Sequence, residues 1–115
     1  MKLFTLTFLC FIGLTCNAQT QKELIGKWKL VQQTKDGVVT TPKDTYQMFM
    51  ENGKFQGING DKSREGKWKL SDDNTKLTIM ISIISVNFDI VYFDANKRTI
   101  NSPQTGKLEY EKVLE

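Results

Sequence analysis

Side chains able to carry proton or electron-pair chemistry are scarce in this chain of 115 residues, which has a formal charge of +3 and no histidine. The lack of imidazole removes serine and cysteine triads, histidine-ligated zinc and the ordinary near-neutral titration switch. Its two cysteines, Cys10 and Cys16, both lie in the N-terminal apolar stretch. Carboxylates remain as acid–base groups, and a pair facing each other across a cleft can hydrolyse a glycosidic bond. Asp72 and Asp73, however, are neighbours in a predicted turn, and Glu109 and Glu111 share the outward face of the last predicted strand. Asp89 alternates with Phe88 and Ile90, on the polar side. Each reads as a solvated charge. Asp72, Asp73 and Asn74 also lack the spaced ligand array of a calcium loop. No catalytic residue, metal or cofactor is expected, and the chain reads as non-enzymatic.

The chemistry left is apolar burial. Trp28, Tyr46, Met48, Phe55, Trp68, Ile79, Phe88 and Tyr92 fall on the predicted inward faces of alternating segments. Such residues form either an ordinary core or the wall of a site for a small apolar molecule, with the Tyr46 and Tyr92 hydroxyls orienting it. Methionines such as Met48, Met50 and Met80 are flexible fillers suited to adaptable apolar surfaces.

These residues must be positioned by strands, because no stretch from Glu23 onward has the period of a long amphipathic helix. Eight alternating runs are separated by turn residues: Gly26–Val31, Thr45–Glu51, Lys54–Ile58, Gly66–Leu70, Thr75–Ile84, Val86–Phe93, Arg98–Asn101 and Lys107–Val113. Asn52-Gly53 and Asn59-Gly60 mark tight hairpins, since both positions tolerate positive φ. Eight sequential antiparallel strands close most naturally into an all-β, up-and-down meander barrel, which leaves no exposed edge. Strands of about six residues tilted by about 40° give a barrel only about 15 Å tall, at the size where side chains either fill the interior or leave room for one small ligand. The pentapeptide Gly26-Lys27-Trp28-Lys29-Leu30 recurs unchanged as Gly66–Leu70, opening two strands with a small residue and a buried indole. A smaller five-stranded barrel with exposed aromatics fits the strand count less well.

The N-terminus sets the compartment. Met1-Lys2 followed by the apolar run Leu3–Thr15 and the small residue Ala18 reads as a secretory signal peptide helix over residues 1–18, leaving one barrel domain over 19–115. Export to the periplasm or medium is expected, with no transmembrane segment in the mature chain. A rival reading makes Cys16 the lipidated first residue of a lipoprotein. Basic residues are dispersed among acids, so no phosphate track for nucleic acid is expected.

The Gly-x-Trp strand Gly26-Lys27-Trp28, the Asn52-Gly53-Lys54-Phe55 hairpin and the run Gly66–Asp73 resemble the lipocalin superfamily. They are most similar to the short lipocalin-like domains exported by Bacteroidetes-type bacteria. The resemblance implies a barrel that carries a small hydrophobic ligand, and a basic residue near the final strand packed across Trp28, here Lys112 or Lys107. The alternative is a structural or protein-interaction module of the cell envelope with a filled core. The run Ile79–Ile84, apolar on both faces as one strand, would then present Met80 and Ile84 to an envelope partner.

Overall fold

The computed structural model describes residues 21–114. The predicted leader, with Cys10 and Cys16, lies outside the described residues. After a short helix α1 (Gln21–Leu24) the chain forms β1 (Gly26–Lys35), β2 (Val38–Thr40), β3 (Thr45–Phe49) and β4 (Lys54–Asn59). These are followed by β5 (Lys62–Leu70), β6 (Lys76–Ile81), β7 (Ile84–Phe93), β8 (Lys97–Ser102) and β9 (Gly106–Lys112). Every pairing is antiparallel, neighbours in sequence pair from β3 to β9, and β9 returns to β1 through Lys112↔Trp28 to Lys107↔Thr34. Eight strands therefore close the expected barrel.

The ninth strand, β2, was not expected from the polar stretch around Pro42. It forms because β1 continues past Val31 to Lys35 and turns back at Asp36-Gly37, both at positive φ (53° and 79°). β2 takes the far part of one edge of β1 (Gln33↔Thr40), while β3 takes the near part (Gly26↔Phe49). Thr75–Ile84 is likewise not one strand. Ser82 has φ of 59°, the chain reverses over Ser82-Ile83, and Ile81 pairs with Ile84. This makes a two-residue hairpin whose tip carries Ile83, 96% exposed. A run of isoleucines hid the turn, which contains neither glycine nor asparagine. Its consequence is that Met80 and Ile84 do not share a face: Ile84 falls in register with Ile81, whereas Met80 pairs with Ser85.

Alternation buries Trp28, Leu30, Phe49, Phe55, Trp68, Leu70, Leu77, Ile79 and Phe88 in one interior cluster. Two register shifts modify it. One lies in β1 opposite Glu109/Tyr110, and the other lies in β7 between Ile90 and Tyr92. The second reverses the side-chain phase, so Phe93 is buried and Tyr92 is 50% exposed.

The two copies of the pentapeptide play matching parts. The Trp28 indole donates to the Leu24 carbonyl and the Trp68 indole to the Met50 carbonyl, both at 3.0 Å, tying β1 to α1 and β5 to the connection between β3 and β4. Their glycines differ. Gly26 has φ of 129° and is covered by the flexible Lys112 side chain. A Cβ on Gly66 would strike the Met80 carbonyl oxygen, a backbone atom held by the β5–β6 ladder. Gly66→Ala is accordingly expected to lower stability by about 3 kcal/mol, as overpacking against fixed backbone does; denaturant unfolding measures it.

The β5–β6 turn is held by Asp73. Its carboxylate accepts from Ser71 Oγ (2.7 Å), Thr75 Oγ1 (2.8 Å) and the Thr75 amide (3.1 Å). These bonds, the one from Ser71 foremost, hold its carboxyl down at about 2, below the ordinary carboxylate value of 3.8. A depressed folded-state value means that the stabilisation is present above the unfolded value near 3.8 and is lost as pH falls through about 2. Wild type is expected to melt above Asp73→Asn at neutral pH, with the gap closing between about pH 4 and pH 2; thermal melts across that range test it.

Candidate ligand cavity

The ends of the barrel differ. At one end β1 begins, β3 ends and β8 begins, and there the interior is filled. Leu24 from α1 and Trp28 are fully buried, and Trp28 meets Phe93 (6.1 Å between ring centroids). Phe49 stands edge-on to Trp68 (5.7 Å) and Phe55 (5.2 Å).

Into this aromatic end β8 projects Arg98, which is fully buried. Its guanidinium lies 4.3 Å from the Tyr110 ring, 4.9 Å from Phe49 and 5.0 Å from Trp28. Nη2 donates to Gln47 Oε1 at 2.6 Å, while Nε and Nη1 have no hydrogen-bond partner among the described residues. Burial pulls the guanidinium down to about 10, so it stays charged at neutral pH, and burial pushes the Tyr110 hydroxyl up to about 12, so it stays protonated. Lys112 covers another part of the indole, with its ammonium 4.7 Å from the Trp28 ring and bonded to the Ile25 carbonyl at 2.7 Å. Burial, with Arg98 nearby, lowers the Lys112 pKa.

The resemblance to lipocalins implied Lys112 or Lys107 as the basic residue across Trp28. Lys112 takes that place, Lys107 is exposed, and Arg98 joins Lys112 as a second cation on the indole. Arg98 was missed because the next residue along the turn side is Lys97 and the pair reads as surface charge. The available signal was its register, two residues before the buried Ile100 and four before the buried Ser102.

The other end is open. Between β3, β4, β5, β6, β7 and β9 lies a cavity of about 790 Å³. Its apolar wall includes Phe55, Ile79, Ile81, Val86, Phe88 and Leu108; Gln47 and Tyr110 also line it, and Lys62 and Arg64 stand at the rim. Gly57 helps to make the space, since the inner face of β4 carries no side chain there. Among the described residues, no aspartate or glutamate lines the cavity.

Of the eight residues singled out from sequence, the structure brings Phe55, Ile79 and Phe88 together in the wall. Trp28 and Trp68 are buried in the filled end and do not line the cavity. In β3 the phase is opposite to the one expected: Gln47 pairs with Trp28 and Phe49 is buried, so Tyr46 and Met48 belong to the outer face. Tyr46 touches the cavity edge, but its ring lies 4.6 Å from the Lys27 ammonium. Both residues of each pair, in Tyr46/Gln47 and Met48/Phe49, can occupy a half-buried strand, so alternation alone did not fix the face. Tyr92 is outside, its hydroxyl donating to Asp94 at 2.6 Å. The carboxylates weighed for acid–base chemistry do not converge: Asp73 holds its turn and Asp89 pairs with Lys76 at 2.6 Å on the surface.

None of the curated proteins matches this chain. Two solved structures share the fold at low sequence identity. A lipocalin-like protein from Bacteroides uniformis superposes with a TM-score of 0.69 at 18% identity, over 79% of this chain and 99% of that one. An uncharacterised protein from Bacteroides eggerthii superposes with a TM-score of 0.65 at 18% identity, over 78% and 99%. The GH43_C family model, described as a C-terminal lipocalin-like domain, matches residues 11–111. That match runs from before α1 through nearly all of β9, over the same closed meander that the strand pairings define, and the chain therefore belongs to the GH43_C family of lipocalin-like domains.

Proposed function

We propose that this chain is an exported, non-enzymatic lipocalin-like domain that takes up a small apolar molecule through the open end of its barrel. The observation that carries the reading is the cavity itself. Its volume of about 790 Å³ falls within the range of small-molecule sites, and its lining surface is mainly apolar, with Phe55, Ile79, Ile81, Val86, Phe88 and Leu108 interspersed with polar residues. Affinity comes from apolar area removed from water, at about 25 cal/mol per Å² less the cost of immobilising the ligand. Among the described residues the lining offers no carboxylate pair for acid–base work, which supports binding over turnover. Export rests on the leader-like segment of residues 1–18, with cleavage before Gln19 or, alternatively, lipidation at Cys16.

A neutral, polarity-sensitive fluorophore, N-phenyl-1-naphthylamine, is expected to brighten and shift to the blue on binding residues 19–115. Gly57→Phe, which places a ring in the cavity beside Phe55, is expected to weaken that binding by more than about tenfold while near-ultraviolet circular dichroism stays native. Absence of binding to the folded wild-type domain would favour the filled-core interaction module instead. N-terminal sequencing of protein recovered from the envelope, together with Cys16→Ser, distinguishes a chain starting at Gln19 from a lipidated one.

A further inference from the structure

The floor of the cavity is one-sided in its chemistry. The two polar residues that line it at depth, Gln47 and Tyr110, are the same two that touch the buried Arg98 guanidinium. Arg98 donates to the Gln47 carbonyl oxygen, which leaves the N–H₂ donor of that amide for another partner. The Tyr110 hydroxyl is protonated at neutral pH and is also a donor. Behind both stands a full positive charge with two N–H-bearing nitrogens unpartnered among the described residues and three aromatic faces in place of a carboxylate. Ring quadrupoles offset part of the cost of burying that charge, but none satisfies an N–H. Among the described residues no acid lines the cavity to neutralise the field, and the charged residues at its rim, Lys62 and Arg64, have the same sign.

We propose that the ligand is an amphiphile with an anionic head, of the carboxylate class, bound head-down, so that Gln47 and Tyr110 donate to the head and the Arg98 charge lies directly behind it. The apolar tail then runs past Phe55, Phe88 and Leu108 towards the Ile81/Ile84 mouth. This rests on the reading of the cavity as a binding site and adds the sign of the ligand and its orientation. In a low-dielectric interior an anion at this floor gains from the guanidinium what an alcohol of equal length cannot, since the side chain is fully buried and two of its nitrogens are unpartnered among the described residues.

Competition against bound N-phenyl-1-naphthylamine by decanoate and by decanol tests this with matched tails. Decanoate is expected to compete at least about tenfold more tightly, and to keep most of that advantage in about 0.5 M NaCl, because a buried charge is poorly screened. Gln47→Glu sets a carboxylate against Arg98 and should collapse the advantage to less than about threefold while raising the melting temperature, a readout that a merely disrupted site would not give. Tyr110→Phe, which removes only the hydroxyl, should cut the advantage severalfold and serves if the glutamate variant does not fold. Equal competition by acid and alcohol overturns the anionic head while leaving the cavity reading standing. An advantage that salt abolishes, or that survives both substitutions, places the head at the Lys62–Arg64 rim and overturns the floor assignment. Failure of the fluorophore to bind at all overturns the cavity reading and this inference with it.

Discussion

The structure depends on one buried cation. Arg98 stands where β8 meets β7 and β9, and its guanidinium reaches Trp28 of β1, Phe49 and Gln47 of β3 and Tyr110 of β9. It thereby connects strands from both ends of the chain across the seam where β9 closes on β1. Removing a guanidinium from water is costly, and no carboxylate offsets that cost among the described residues. Compensation comes from stacking on aromatic faces, which arginine tolerates better than lysine because its charge is planar, delocalised and weakly hydrated. Other aromatic contacts extend from this point: Phe49 carries it to Trp68 and Phe55, and Trp28 carries it to Phe93.

Concentrating the large rings at one end has a geometric effect on the other. The repeated pentapeptide places an indole near the filled end of both β1 and β5, each tied to a neighbouring carbonyl. The opposite end of β5 contributes polar residues, Lys62, Ser63 and Arg64, to the cavity lining, and β4 contributes Gly57. A short barrel can thus have a rigid, tightly packed base and still enclose space, because its side-chain volume is unevenly distributed along the axis rather than deficient overall.

Architecture was readable in the sequence because turn chemistry and period-two alternation agree with each other along most of the chain. Asn52-Gly53 and Asp94–Asn96 fall within observed connections, whereas Asn59-Gly60 straddles the end of β4, whose two-residue turn is Gly60-Asp61. Failures occurred where one of those signals was silent. Ser82 adopts positive φ without the usual glycine or asparagine, so a hairpin read as one long strand. The β7 register shift sends Tyr92 outward, and no local residue type announces it. In β3 both faces carry bulky groups, and only pairing with Trp28 makes Gln47 the inward residue. The candidate site was legible to the same extent: Phe55, Ile79 and Phe88 are in the wall, but its polar floor depends on Arg98 and Gln47, residues 51 positions apart that only the closed barrel brings together.

The closure of β9 on β1 also decides how the domain can be tethered. The Val113 amide bonds to the Lys27 carbonyl, and Lys112 reaches back to the Glu23 and Ile25 carbonyls, so both ends of the described chain emerge side by side at the filled base. Polypeptide or lipid attached through either end pulls on the aromatic base and not on the rim. The mouth between Asn59, Ile81, Ile84 and Thr105 points the other way. A copy anchored by either end would stand on its base, with the open end of the barrel facing away from the anchor.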